Sequence, residues 1–186
     1  MGIMTPFQLR AARPDDVPAI AGLVAELAAF EQLSHLLQLT PETLAPHLFG
    51  PRPVVEAVVA ERSAYPSDQA DQVDQVDQAD HGQAGRVVAY ALFFTNFSTF
   101  LAKPGLYLED LYVQPACRGQ GIGQALLAHL AALAVARDYG RFEWSVLDWN
   151  EGAIGFYQKM GATLLPDWRI CRVAGPALQA LGAPQR

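Results

Sequence analysis

Cysteine is scarce in this 186-residue chain, with Cys117 and Cys171 the whole supply. The two stand far apart and lack metal-ligand spacing, which rules out a disulfide-stapled scaffold and leaves two free thiols in a reducing compartment as the expectation. Histidine is sparse as well: His35, His47, His81 and His129 make no H-x-x-x-H or comparable cluster, so no metal is expected. No uninterrupted apolar run approaches the roughly 20 residues of a membrane-spanning helix. The N-terminus has no charged stretch leading into an apolar one, so no signal peptide and no membrane partner are expected, and the reading is cytoplasmic. Charged residues make up only 17% of the chain, against the composition of a disordered protein.

What is abundant is apolar: 51% of the residues are hydrophobic, enough to bury a core within one domain spanning 1–186. A formal charge of −6 argues against nucleic acid as partner, because binding there depends on phosphate neutralisation. The acidity is also local. Asp68, Asp71, Asp74, Asp77 and Asp80 share one tract without Lys or Arg, and setting them aside takes the charge from −6 to −1. The tract, Ser67 to Gly85 within a low-complexity stretch at about 64–85, repeats Asp-Gln with a period of three. That period fits neither helix nor strand, so a solvated loop between two strands is expected, with a partner-binding segment as the alternative.

Elsewhere the periodicity is readable. Strands are predicted over Phe7–Arg10, Val54–Ala60, Arg86–Phe94, Gly105–Val113, Phe142–Leu147 and Trp168–Val173, with a further short one around Ala162–Leu165. A first helix carries Val17, Ile20, Leu23, Val24 and Leu27 behind a cap at Asp15 or Asp16. A second starts at Thr40-Pro41-Glu42, with a capping hydroxyl, proline in the first turn and an acid at the positive dipole end. Ile122–Ala136 is the clearest helix, and Asn150–Met160 another. His129 reads as packed or exposed at the rim rather than catalytic. The order implies an α/β fold with a mixed sheet: consecutive strands make hairpins, while strand–helix–strand units favour parallel crossovers.

One motif stands at a strand-to-helix junction, Arg118-Gly119-Gln120-Gly121-Ile122-Gly123. Glycines let a ligand approach the backbone, and the first amides of a helix carry partial positive charge, which suits a pyrophosphate. A mere tight turn reads equally well. A Walker loop is excluded because no Gly-Lys-Ser/Thr follows, and a dinucleotide fingerprint fits poorly because the third glycine comes early and the loop follows roughly the fourth strand. The pattern R-x-x-G-x-G, with Arg118, Gly121 and Gly123, fits better.

Four ordered segments carry a resemblance: Tyr107-Leu108-Glu109-Asp110-Leu111-Tyr112-Val113, the Arg118–Gly123 turn, Asp148-Trp149-Asn150-Glu151, and Phe156-Tyr157-Gln158-Lys159-Met160-Gly161-Ala162. Together the chain resembles the GNAT acetyltransferase superfamily, and within it the diamine (spermidine/spermine) and thialysine N-acetyltransferase group, from Leu27-Ala28-Ala29-Phe30-Glu31 to Trp168-Arg169. The Asp-Gln tract departs from the pattern. The resemblance implies a mixed, mostly antiparallel sheet flanked by helices, with a splayed central strand pair that holds acetyl-CoA as co-substrate. It implies that the backbone of Leu111, Tyr112 and Val113 bonds the pantetheine arm and that the amides of Gly119, Gln120, Gly121, Ile122, Gly123 and Gln124 hold the pyrophosphate. Arg118 would stand nearby, and Asn150, Gly152 and Ala153 would line the other side.

An amine must lose a proton before it attacks a thioester, since an alkylammonium has a pKa of about 10.4. Glu109 is the candidate acceptor. Strand alternation puts it on the opposite face from Asp110, a parity that a bulge would change; the bland alternative is a solvated acid pair. Tyr157 is the candidate acid for the departing sulfur, a role that rests on the resemblance, against core packing beside Phe156. The resemblance also implies a groove for a small cationic amine built from Phe30, Glu31, Glu109, Glu143, Trp144 and Ser145. For Glu31 and Glu143, simple surface charge is the alternative. The polyamine enzymes carry Tyr-Asp-Pro-Trp just before the Y-L-E-D segment, where this chain has Asn96-Phe97-Ser98-Thr99-Phe100 and no acid. That favours a shorter diamine or a lysine-like amino acid. Relatives of this type form homodimers, and the same is expected here. Protein or peptide N-terminal acetylation and a non-catalytic acetyl-CoA sensor are the competing readings.

Overall fold

A computed structural model describes residues 7–62 and 85–184; the Asp-Gln tract and His81 lie outside the described residues. Two compact units divide the chain, Met1–Ser145 and Val146–Arg186.

The first unit is built on a five-stranded sheet: β1 (Gln8–Ala11), β2 (Glu56–Arg62), β3 (Arg86–Ser98), β4 (Lys103–Val113) and β5 (Phe142–Trp144), in that spatial order. Pairing is antiparallel from β1 to β4 and parallel between β4 and β5. The mixed, mostly antiparallel α/β sheet read from the sequence is therefore observed. Helices α1 (Val17–Phe30), α2 (Pro41–Phe49) and α3 (Ile122–Ala136) belong to the same unit.

Cross-strand partners share a face of a sheet. On one face Val59, Tyr90, Leu92 and Tyr112 join Ile20, Leu23 and Val24 of α1 and Leu44 and Leu48 of α2 in one buried cluster. Phe93, Leu106 and Leu108 belong to the other face by register and are buried, as are Leu126 and Leu130 of α3. Truncating such a leucine to alanine costs on the order of 2–5 kcal/mol.

Local chemistry sets the boundaries. Thr40 caps α2, its hydroxyl accepting from the Thr43 amide at 3.3 Å, with Pro41 in the first turn as expected. Asp16 does not cap α1. Its carboxylate accepts from the Arg13 amide at 2.6 Å and is gripped by Arg10, closing the short 3-10 turn Pro14–Asp16 instead. Arg10 also pairs with Glu61 across the sheet. Cys117 is buried and Cys171 exposed, both as free thiols, and His129 is exposed.

In the second unit α4 (Glu151–Lys159) ends as the sequence Met160-Gly161-Ala162 requires. Gly161 takes φ 93°. The Ala162 amide reaches the Tyr157 carbonyl at 3.0 Å and the Gly161 amide reaches Gln158 at 3.0 Å, the paired bonds of a Schellman cap. The strands expected over Ala162–Leu165 and Trp168–Val173 are not formed. Trp168, Ile170 and Val173 are 75%, 72% and 48% exposed, and without a ladder the β-branched and aromatic residues there have nothing to pack against. A helix the sequence reading missed, α5 (Gly175–Gly182), follows. Among the described residues no helix is long and apolar enough to cross a membrane.

Candidate active site

The register of β3 and β4 slips at one point: Leu92 faces Asp110, but Phe93 faces Leu108. Glu109 is the extra residue, and the slip is a β-bulge centred on it. The bulge reverses the parity of β4. Leu108 shares the Phe93 face, whereas Asp110 shares the face of Leu92 and Tyr90, so two residues that alternation alone would put on one face lie on opposite faces. Parallel pairing of β4 with β5 runs from Leu106 to Leu108 and stops where the bulge begins. From Glu109 to Val113 the β5-side edge of β4 enters no ladder among the described residues, which leaves alternate backbone groups available to a ligand.

Beside this edge stands the glycine turn. Gly119 and Gly121 adopt φ 75° and 81°, left-handed values that a side chain resists, and a Cβ at either position would meet nothing within 4 Å. The turn is therefore glycine for its backbone angle, with open space above it. Gly121 precedes α3 without a side-chain cap, and the first bond back into the helix is made by Ala125. The amides of Ile122, Gly123 and Gln124 thus open the helix as uncapped donors. Ile122 anchors the turn at 2% exposure. The Gln120 side chain folds back to the Ala116 carbonyl at 3.3 Å. These donors and the open strand edge fit a pyrophosphate-bearing co-substrate with an extended arm.

Arg118 is engaged within the fold. Its Nε donates to the Val113 carbonyl at 3.0 Å, and its guanidinium carbon lies 5.3 Å from the Phe30 ring and 5.4 Å from the Tyr112 ring. Tyr112 is buried, and burial and Glu26 raise its phenol. Leu111 and Val113 are half-buried on the opposite face.

An open groove of about 190 Å³ lies against α1, walled by Val24, Leu27, Leu33, Leu36 and Leu37. Two carboxylates enter this apolar lining, Glu31 and Asp110. Burial raises the Glu31 carboxyl. Burial pushes Asp110 up to about 6; the charge of Glu109 adds to that, the Tyr90 hydroxyl works against it, and Glu31 adds a further upward push. Tyr90, fully buried, donates to Asp110 Oδ2 at 3.4 Å, a long bond that does not offset burial. Glu109 itself is exposed. Asp110 is the residue that reading the sequence passed over. The signal was there, two adjacent acids in an apolar strand, but strict alternation sent it to the wrong face.

The β5 residues divide. Glu143 shares a face with Tyr107, accepts from Asn96 Nδ2 at 2.8 Å and lies 3.1 Å from Arg141 Nε. Gly105 sits under this contact, where a Cβ would come within 2.5 Å of Asn96 Oδ1. Ser145 meets the Tyr107 hydroxyl at 2.9 Å. Trp144 pairs with Leu108 and so falls on the other face, its ring 4.8 Å from Phe142.

In the second unit Asn150 caps α4, its Oδ1 accepting from the Ala153 amide at 3.1 Å, so the Asn150 carbonyl oxygen and the Ala153 amide serve the helix. Gly152 is exposed in the first turn, and Tyr157 is half-buried with its ring 5.3 Å from Phe156.

The profile of the Acetyltransferase (GNAT) family matches residues 53–162. The chain is 36% identical over 198 residues to L-ornithine N5-acetyltransferase NATA1 of Arabidopsis thaliana, covering 94% of this chain and 87% of that protein. It is 34% identical to the thialysine N-epsilon-acetyltransferase of Mus musculus, covering 96% and 98%. Among solved structures, an integron cassette protein from the V. cholerae mobile metagenome superposes with a TM-score of 0.71 at 21% identity, covering 96% of this chain and 99% of that one.

Proposed function

The chain belongs to the acetyltransferase (GNAT) family, and on that premise we propose that it moves an acetyl group from acetyl-CoA to a primary amine of a short diamine or a lysine-like amino acid. The observation that carries this is the bulge at Glu109, at the point where β4 parts from β5, with uncapped helix amides following at Gly121. The named relatives acetylate ornithine and thialysine, both amino acids with a side-chain amine. The absence of an acid in Asn96–Phe100 supports the same short class of substrate over long polyamines.

Acetyl-CoA, when bound, supplies the activated acyl carbon. By the family resemblance, the amides of Gly119 to Gln124 would hold its phosphates, the backbone of Leu111 to Val113 would align its arm, and Asn150, Gly152 and Ala153 would line the other side. Backbone amides of the bulged strand polarise the thioester carbonyl. Glu109, exposed and so reachable by water, accepts the proton the ammonium must lose. The amine nitrogen would then bond to the carbonyl carbon as the carbon–sulfur bond breaks, the Tyr157 hydroxyl would protonate the departing sulfur, and the nitrogen's remaining excess proton would restore that hydroxyl, so that the only proton released overall is the one Glu109 accepts. Glu31 and Asp110 take the distal cation, and the family resemblance adds Phe30 to the substrate side. Glu143 serves the groove less directly, since Arg141 and Asn96 already occupy its oxygens. The family resemblance further supports one catalytic domain, a homodimer and a cytoplasmic setting.

Thiol release from acetyl-CoA across a panel of amines tests this reading. Tyr157→Phe is expected to bind acetyl-CoA and release thiol far more slowly. Thiol release at the unmutated rate would remove the acid role, and no release with any amine would remove the enzyme reading.

A further inference from the structure

Tyr90 has no part in the chemistry above, yet its hydroxyl is buried and directed at a carboxylate of the groove. It stands on β3 at full burial, shares a face with Asp110 and donates to Oδ2. A phenol in the apolar centre of a sheet is costly unless its hydroxyl is used, and phenylalanine would fill the same space. The bulge at Glu109 is what puts Asp110 on the face of Tyr90; without it, Asp110 would share the face of Leu108 and Phe93.

We propose that Tyr90 is a positioning residue for amine specificity: from beneath the groove it orients the Asp110 carboxylate toward Glu31, so that the pair takes the distal ammonium of the substrate. This rests on the amine-acetylating reading and deepens it. The groups acting on Asp110 are Tyr90 from β3, Glu109 from its own strand and Glu31 at the C-cap of α1, none of them cationic. Two carboxylates sharing one apolar groove favour a cationic guest, because each acid raises the cost of ionising the other until a positive charge arrives. Tyr90 supplies the only one of these contacts that favours the ionised form of Asp110. Removing its hydroxyl shifts Asp110 further toward the protonated, non-binding form.

The test is calorimetric binding of butane-1,4-diamine and butylamine to the whole protein between pH 6 and pH 8.5, without acetyl-CoA. Both amines stay protonated over this range, so any pH dependence belongs to the protein. Tyr90→Phe is expected to bind the diamine about fivefold more weakly at pH 6 and to approach the unmutated protein at pH 8.5. In steady-state assays the loss should fall on KM and leave kcat near its original value. Asp110→Asn should lose most of this acid-side pH dependence, and adding Tyr90→Phe to it should change nothing more. If Tyr90→Phe fails to fold, Asp110→Asn alone still decides, since an acid-side pH dependence that it left intact would overturn the proposal. Equal weakening at every pH, or a further loss in the double variant, would overturn the proposal. Because binding is read without acetyl-CoA, these outcomes are independent of whether thiol is released.

Discussion

The Arg118 guanidinium carbon stands 5.3 Å from the centroid of the Phe30 ring. The residue that opens the glycine turn thus touches the helix that walls the carboxylate groove, and one side chain bridges the two halves of the site. Contacts of this type are worth about 0.5–1 kcal/mol where exposed. Arg118→Ala should therefore raise KM for acetyl-CoA and for the amine together, the latter by roughly twofold to fivefold. An effect confined to acetyl-CoA would mean that the bridge carries nothing to the groove.

Gly121 sits at φ 81° in front of α3 with no atom near its missing Cβ. Alanine there meets no clash but must hold a left-handed backbone, at a cost of about 1–2 kcal/mol. In a protein of this size that lowers Tm by about 2–8 °C. Thermal unfolding of Gly121→Ala checks it, and acetyl-CoA binding should weaken alongside, because the turn amides move.

Asp110 carries a stability cost. Its carboxyl titrates at about 6 in the fold against an ordinary 3.8, so the native state holds the proton more tightly than the unfolded chain. The sign follows: below about pH 4 both states are protonated and nothing is lost, and between pH 4 and pH 6 the folded state grows costlier as pH rises. Asp110→Asn should accordingly raise Tm at pH 7, by an amount on the order of 1–3 kcal/mol in stability, with the gain vanishing near pH 4. The same variant should lose diamine affinity, a trade of stability for function.

Glu143 and Glu31 offer a contrast. Glu143 is already bonded to Asn96 and flanked by Arg141, whereas Glu31 lines the groove with its carboxyl raised by burial. Glu31→Gln should weaken diamine binding about tenfold, a charge-assisted bond being worth about 1.5–3 kcal/mol. Glu143→Gln should change it by about twofold or less, as expected of a surface pair. The ratio of the two KM values for the diamine decides between them.

How much of this was legible in the residues depended on whether the signal was local. Ile122–Ala136 could be read to the residue because its apolar spacing and the glycines before it are both local. Thr40-Pro41 announced α2 for the same reason. The glycine turn could be located, though not its φ values. Parity failed at Glu109, because a bulge is a property of two strands in register and β4 alone alternates smoothly through Leu108-Glu109-Asp110. Trp168–Val173 has the composition of a strand, but a strand needs a partner that sequence spacing does not supply. Tyr90 was invisible as a site residue: within Arg86–Phe94 it is one more aromatic in an apolar run, and only the pairing with Asp110 gives its hydroxyl a purpose.

The most direct test of the whole account is the initial rate of thiol release from acetyl-CoA with butane-1,4-diamine set against butylamine at equal concentration. Glu31 and Asp110 should make the diamine faster by about tenfold or more at subsaturating concentration, since only it has a second ammonium to place between them. Equal rates on the two amines would contradict a groove that selects its substrate by paired charge.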